Sequence, residues 1–206
     1  GKKEYATTDS LFTEMVEKNI NGVLLYGINS SGKSSFMKSV GVAVILAQSG
    51  FFVLVMQMRF SLFTEIFTRI LAKDNFEKGL SSFGVEMMEL KNIFNRCSPR
   101  SLILGDEISH GTETLSALAI VSATIEHLTH KQAFFLFTTH LHQLSNLSRI
   151  EKIKSVVSVH LSVSYDAKED ILRFERKLQE GSGSSIYGLE FAESLHIDKE
   201  FMKRAQ

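Results

Sequence analysis

The chain has 206 residues, 44% of them hydrophobic and 22% charged, the make-up of a single globular domain able to bury about 70% of its unfolded surface. Lys plus Arg and Asp plus Glu both number 23, so no overall basic field draws nucleic acid, and any grip on DNA must be local or sit on another segment or chain. Cys97 is the only cysteine, which excludes an intramolecular disulfide framework and any cysteine-pair zinc site and fits a reducing intracellular compartment.

In chain order, Gly1-Lys2-Lys3-Glu4-Tyr5 lacks an initiator Met, as a piece cut from a longer chain would. It also lacks the apolar core of a signal peptide, and no later apolar run is long enough to span a membrane. The first strand is Gly22-Val23-Leu24-Leu25-Tyr26, followed by Gly27-Ile28-Asn29-Ser30-Ser31-Gly32-Lys33-Ser34 and a long apolar helical stretch over 36–48. Strand, glycine loop and helix in this order are the context of a phosphate-binding P-loop. Gly27 and Gly32 permit the turn, so that successive backbone N–H groups point at a phosphate chain, aided by the free N–H groups and positive dipole end of the helix. The phosphate cradle is therefore Gly27, Asn29, Ser30, Ser31, Gly32, Lys33, Ser34 and Ser35. Lys33 would reach the β- and γ-phosphates, and the Ser34 hydroxyl would ligate Mg²⁺. An ordinary Gly/Ser turn is the plain alternative, and the flanking strand and helix argue against it.

The apolar run 51–56 reads as the next strand. Phe83, Met87, Leu90, Phe94 and Cys97 recur at steps of four and three, marking one face of a helix that should stop before Pro99. Ser81-Ser82 at its start would cap it or, with the helix N-terminus, form a second anion site. Ser101-Leu102-Ile103-Leu104-Gly105 is a strand running into Asp106-Glu107. Downstream of a P-loop, a parallel strand delivers such acids to the phosphate end of the sheet, where Asp106 would hold Mg²⁺ through water and Glu107 would orient or deprotonate the attacking water. No Asn is followed by Lys, so the guanine-reading pattern is missing and adenine is the expected base. Leu118, Val121, Ile125 and Leu128 mark a further helix, and 133–138 a further buried strand. His140 at its tip would meet the γ-phosphate or the lytic water, or simply cap the strand; His140 and His142 suggest a metal pair but lack a third ligand. Residues 155–163 and 170–178 read as an antiparallel hairpin, Gly181 to Ser185 as a flexible loop, and a short helical segment begins near Asp198. Strands alternating with helices predict an α/β fold, a mostly parallel helix-flanked sheet with the hairpin at one side.

From Gly27 to Leu144 these motifs, in this order, resemble the ATPase domain of the MutS family of DNA mismatch-repair proteins, an ABC-type P-loop NTPase. The likeness extends through Leu46 to Val53, Ile66 to Ile70, Ser81 to Met87, Ser98 to Leu104, Asp106-Glu107-Ile108, Gly111-Thr112 and Thr138-Thr139-His140. It closes with Ser185 to Leu189 and Lys203-Arg204-Ala205, so that residues 1–206 read as one MutS-like domain of a longer protein. The resemblance implies Mg²⁺-dependent ATP binding and hydrolysis, with Lys33 and Ser34 on phosphate and metal, Asp106 supporting the metal, Glu107 activating water and His140 as the switch histidine. It also makes Ser81 the signature-loop serine that completes the site of a second copy or paralogue, and sets Tyr5 on the adenine. DNA would be held through domains absent from these residues, in an intracellular, cytoplasmic or DNA-associated setting. Ile28, Ser30-Ser31, His110 and Glu113 depart from the family's usual residues, the last two just beyond the acids, which keeps open a nucleotide-gated dimerisation module that hydrolyses little. A small-molecule kinase is a weaker rival, since no arginine-rich lid is evident.

Overall fold

The computed structural model describes residues 19–29, 31–55, 58–70, 82–109, 112–166 and 171–183, together with Arg204. Its strands are β1 (Gly22–Tyr26), β2 (Glu65–Arg69), β3 (Ser101–Asp106), β4 (Phe134–Thr139), β5 (Val156–Asp166) and β6 (Ile171–Glu180), and its helices α1 (Lys33–Gln48), α2 (Ser82–Arg96), α3 (Thr114–His130) and the short α4 (Ser148–Glu151). The strands form one six-stranded sheet in the order β2-β3-β4-β1-β5-β6. The pairs from β2 to β5 are parallel, and β6 alone runs antiparallel, against β5. This is the mixed, mostly parallel α/β sheet that the sequence predicts.

Each face of the sheet has its own apolar core. On one, α1 lays Met37, Gly41 and Val44 against Leu25, Leu102, Leu104 and Leu136. On the other, Leu90 and Ile93 from α2, Cys97 just past its end, and Ala117, Val121, Ile125 and Leu128 from α3 pack on Leu24, Ile103, Phe135 and Phe137. Alternate residues of β3 and β4 thus serve opposite cores, as the two-residue period of a strand requires, and near-continuous apolar runs result because both faces are covered. Helix α1 ends in a Schellman turn, with Phe51 N–H donating to Leu46 O and Gly50 N–H to Ala47 O.

The structure corrects the strand expected at 51–56: residues 51–55 carry no strand, and Phe52 and Leu54 stand exposed. The place beside β3 belongs instead to β2, which pairs Ile66 with Leu102 and Phe67 with Ile103. As an edge strand it needs fewer apolar residues, and its Glu65, Thr68 and Arg69 conceal it from a search for hydrophobic runs. The hairpin is present, with strands reaching 166 and 171. The helical segment near Asp198 lies outside the described residues, apart from Arg204, which is helical.

Candidate functional site

β1, β3 and β4 are neighbours in the sheet and all run the same way, so Tyr26, Asp106 and Thr139 end side by side. The residues just beyond these tips are the glycine loop, Glu107 and His140. Gly27 (φ 152°) and Gly32 (φ 103°) both adopt positive φ, a region that side chains with a Cβ rarely enter. Phe36 N–H then donates to Gly32 O at 2.9 Å and opens the ladder of α1. Ser31 is buried, with its Oγ packed against Gly27, where an added Cβ would meet it at 2.8 Å.

Lys33 is 4% exposed. Its Nζ donates to the carbonyls of Gly27 at 2.7 Å and Ile28 at 3.1 Å, and lies 3.5 Å from Glu107 Oε1. Burial holds its pKa below the ordinary lysine range, while the carboxylates of Glu107 and Asp106 pull the other way. Ser34 Oγ donates to Asp106 Oδ1 at 2.8 Å, and Thr138 Oγ1 donates to the same oxygen at 2.5 Å. Thr138 also accepts the N–H of Glu107, on its hydroxyl at 3.2 Å and its carbonyl at 3.1 Å. One β4 residue therefore grips both acids of the β3 tip.

Glu107 turns away from the strand at φ 48°, a conformation costing about 1–3 kcal/mol outside glycine. His140 Nδ1 lies 3.8 Å from Glu107 Oε1. Both border a cavity of about 50 Å³ whose lining mixes Ser109, Thr112, Thr114 and Thr139 with apolar Ile108, Ala117 and Leu141, room for about one or two waters. A wider hollow of about 430 Å³, between Ser145, Glu151, Ser158 and Ser182, touches none of these groups. Behind the site, burial raises the Tyr26 phenol to about 12, and burial followed by the neighbouring His140 lowers His142; the two rings pack 5.6 Å apart. Among the described residues no group of three His, Cys, Asp or Glu side chains gathers as a metal cluster.

Of the predicted site residues, Gly27, Asn29, Ser31, Gly32, Lys33, Ser34, Ser35, Asp106, Glu107 and His140 fall within or directly after these three strand ends. Tyr5, Ser30 and Ser81 lie outside the described residues, as does His110. Three residues beside the site receive no role in the sequence reading. Thr138 stands two positions before His140 but reads as a strand residue. Arg176 sits in an irregularity of β6 at φ 55°, its Nε 4.0 Å from where a Cβ on Gly32 would be. Glu86 is a buried acid whose Oε1 accepts the N–H of Ser109 at 2.5 Å; its signal was an acid on the same helical stripe as Leu90, Ile93 and Cys97.

This is a mixed α/β domain with a polar site at the carboxyl ends of its parallel strands, where open sheets of this kind bind ligands. The family model for MutS domain V matches residues 23–206, and the chain belongs to the MutS family. It is 41% identical over 197 residues to a mitochondrial DNA mismatch repair protein mutS homolog of Sarcophyton glaucum, covering 93% of this chain and 20% of that protein. It is 39% identical over 195 residues to the DNA mismatch repair protein MutS of Bacillus cytotoxicus, covering 93% and 21%. A mutS homolog of Acanthamoeba polyphaga mimivirus is 38% identical over 198 residues, covering 95% and 18%. The chain thus spans about a fifth of the length of these relatives. Among the described residues no helix is long and apolar enough to cross a membrane.

Proposed function

We propose that residues 1–206 form an ABC-type P-loop ATPase domain that binds and hydrolyses ATP and, within a longer protein, drives DNA mismatch repair. The observation that carries the reading is the meeting of Lys33, Ser34, Asp106 and Glu107 at one sheet end. Phosphoryl transfer to water needs placement and charge stabilisation more than covalent chemistry, and these are the groups it uses. The turn from Gly27 to Ser35 offers backbone N–H groups and the α1 N-terminus to the phosphates, and Lys33 supplies the counter-charge. Ser34 and Asp106 fit a Mg²⁺ ion, because a hydroxyl and a carboxylate meeting at 2.8 Å are the hard oxygen donors it prefers. When bound, that ion would neutralise charge on the β- and γ-phosphates. Glu107 takes a proton from a water held between it and His140, in the cavity they line.

The relatives' names support mismatch repair as the process served. A second copy or paralogue, bringing Ser81, completes the site, and DNA is engaged through other domains of the parent protein. Glu107→Gln keeps the size and polarity of the side chain but removes the base. Equilibrium binding should show ATP affinity retained, and a single-turnover assay should show hydrolysis slowed by roughly 10²-fold or more. Unchanged hydrolysis would remove Glu107 from the reaction, and absence of hydrolysis in the parent chain would leave a binding module.

A further inference from the structure

Glu86 is a carboxylate set into the core, 3% exposed, on the face of α2 that packs on the sheet. Oε1 accepts the Ser109 N–H at 2.5 Å across 23 positions of sequence. Oε2 lies 3.9 Å from Arg69 Nη2 at the end of β2, and Arg69 Nε meets Glu89, about one turn further along α2, at 2.9 Å. The segment it holds is unusual: Glu107 and Ser109 both have positive φ, 48° and 65°, and neither is glycine, so contacts around them must impose the shape. Two anchors do this. Thr138 accepts the N–H of Glu107 and Glu86 accepts that of Ser109, with the buried Ile108 between them.

We infer that Glu86 is a positioning residue for hydrolysis, holding Ser109 so that the Glu107 carboxylate faces the lytic water, and thereby tying the orientation of α2 to the reactivity of Glu107. The inference rests on the reading of Glu107 as the base of an ATPase. A charge buried only for stability would lower all properties together, whereas a positioning contact acts on the rate and on the Ser109 amide.

The test compares the parent chain with Glu86→Met, which keeps the volume but not the acceptor, and Glu86→Gln, which keeps an acceptor oxygen. Glu86→Met should bind ATP within about threefold of the parent, yet lose about tenfold or more in single-turnover rate, as a misplaced catalytic group does. Glu86→Gln should return to within about threefold of the parent rate, and the Ser109 amide should exchange with deuterium about tenfold faster in Glu86→Met. Should Glu86→Met alone fail to fold, Arg69→Met with Glu86→Met removes both charges and should show the same loss. An unchanged rate in Glu86→Met, a Gln variant as slow as the Met variant, or unchanged Ser109 exchange would each overturn the inference. If the parent hydrolyses no ATP, the ATPase reading fails, and the exchange comparison still decides whether Glu86 holds the turn.

Discussion

Thr138 shows how much one side chain can organise. Its hydroxyl donates to Asp106 and accepts from Glu107 N–H, so the last residue of β3 and the one after it are both held by a residue on β4. Asp106 is 7% exposed, and a hydrogen bond to a buried carboxylate contributes about 1.5–3 kcal/mol. Thr138→Val is close to isosteric and removes both contacts, while Glu107 N–H keeps the Thr138 carbonyl. Urea unfolding should therefore show a loss of about 1.5–3 kcal/mol, and Thr138→Ser, which keeps the hydroxyl, should recover most of it. A Val variant as stable as the parent would mean that Ser34 alone satisfies Asp106. Lys33 obeys the same local logic in reverse: burial disfavours its charge and holds its pKa below the ordinary lysine range, and the two carboxylates oppose that only in part.

At the scale of elements, β4 determines how its neighbours pack. Gly22 pairs with Phe135 and Gly105 with Phe137, and a Cβ on either glycine would enter the ring of its partner, at 2.2 Å and 2.7 Å. The rings lie over glycines on the strands to either side and fill what those positions leave empty. Gly105→Ala would press on Phe137 and Ile108, both buried, and should cost about 1–3 kcal/mol by overpacking, read as a lower urea midpoint. An unchanged midpoint would show that Phe137 has room to move.

The same elements explain what was legible beforehand. β1, β3 and β4 announce themselves because strands covered on both faces are apolar throughout, and the loop and acids follow from their positions at strand ends. β2 stays hidden, since an edge strand with Glu65, Thr68 and Arg69 has no apolar run to find. The segment 51–55 deceives because hydrophobicity without periodicity does not distinguish a strand from exposed apolar chain. Glu86 and Thr138 act through contacts across 23 and 32 residues of sequence, which no local pattern encodes.

For the whole molecule, the proposed chemistry is one that a second copy or a paralogue would complete. Lys33, Asp106 and Glu107 gather at one end of the sheet, and Ser81, immediately before α2 in the sequence, is proposed to serve the site of a partner. Its hydroxyl and the N-terminus of α2 would approach a γ-phosphate held by the other subunit's Lys33. Ser81→Ala should then bind ATP nearly normally and hydrolyse it poorly. Mixing it with Glu107→Gln chains separates action across the dimer from action within one chain. In a mixed dimer both lesions fall on one composite site, where the Glu107→Gln chain faces the Ser81→Ala chain, while the second site keeps a wild-type Glu107 and a wild-type Ser81. Hydrolysis by the mixture should partly recover, although each variant alone hydrolyses poorly. If Ser81 served its own chain instead, each site of the mixed dimer would carry one lesion. The mixture, with heterodimers verified by differential tagging, would then stay as slow as its parents, and Ser81 would be reduced to a cap on α2.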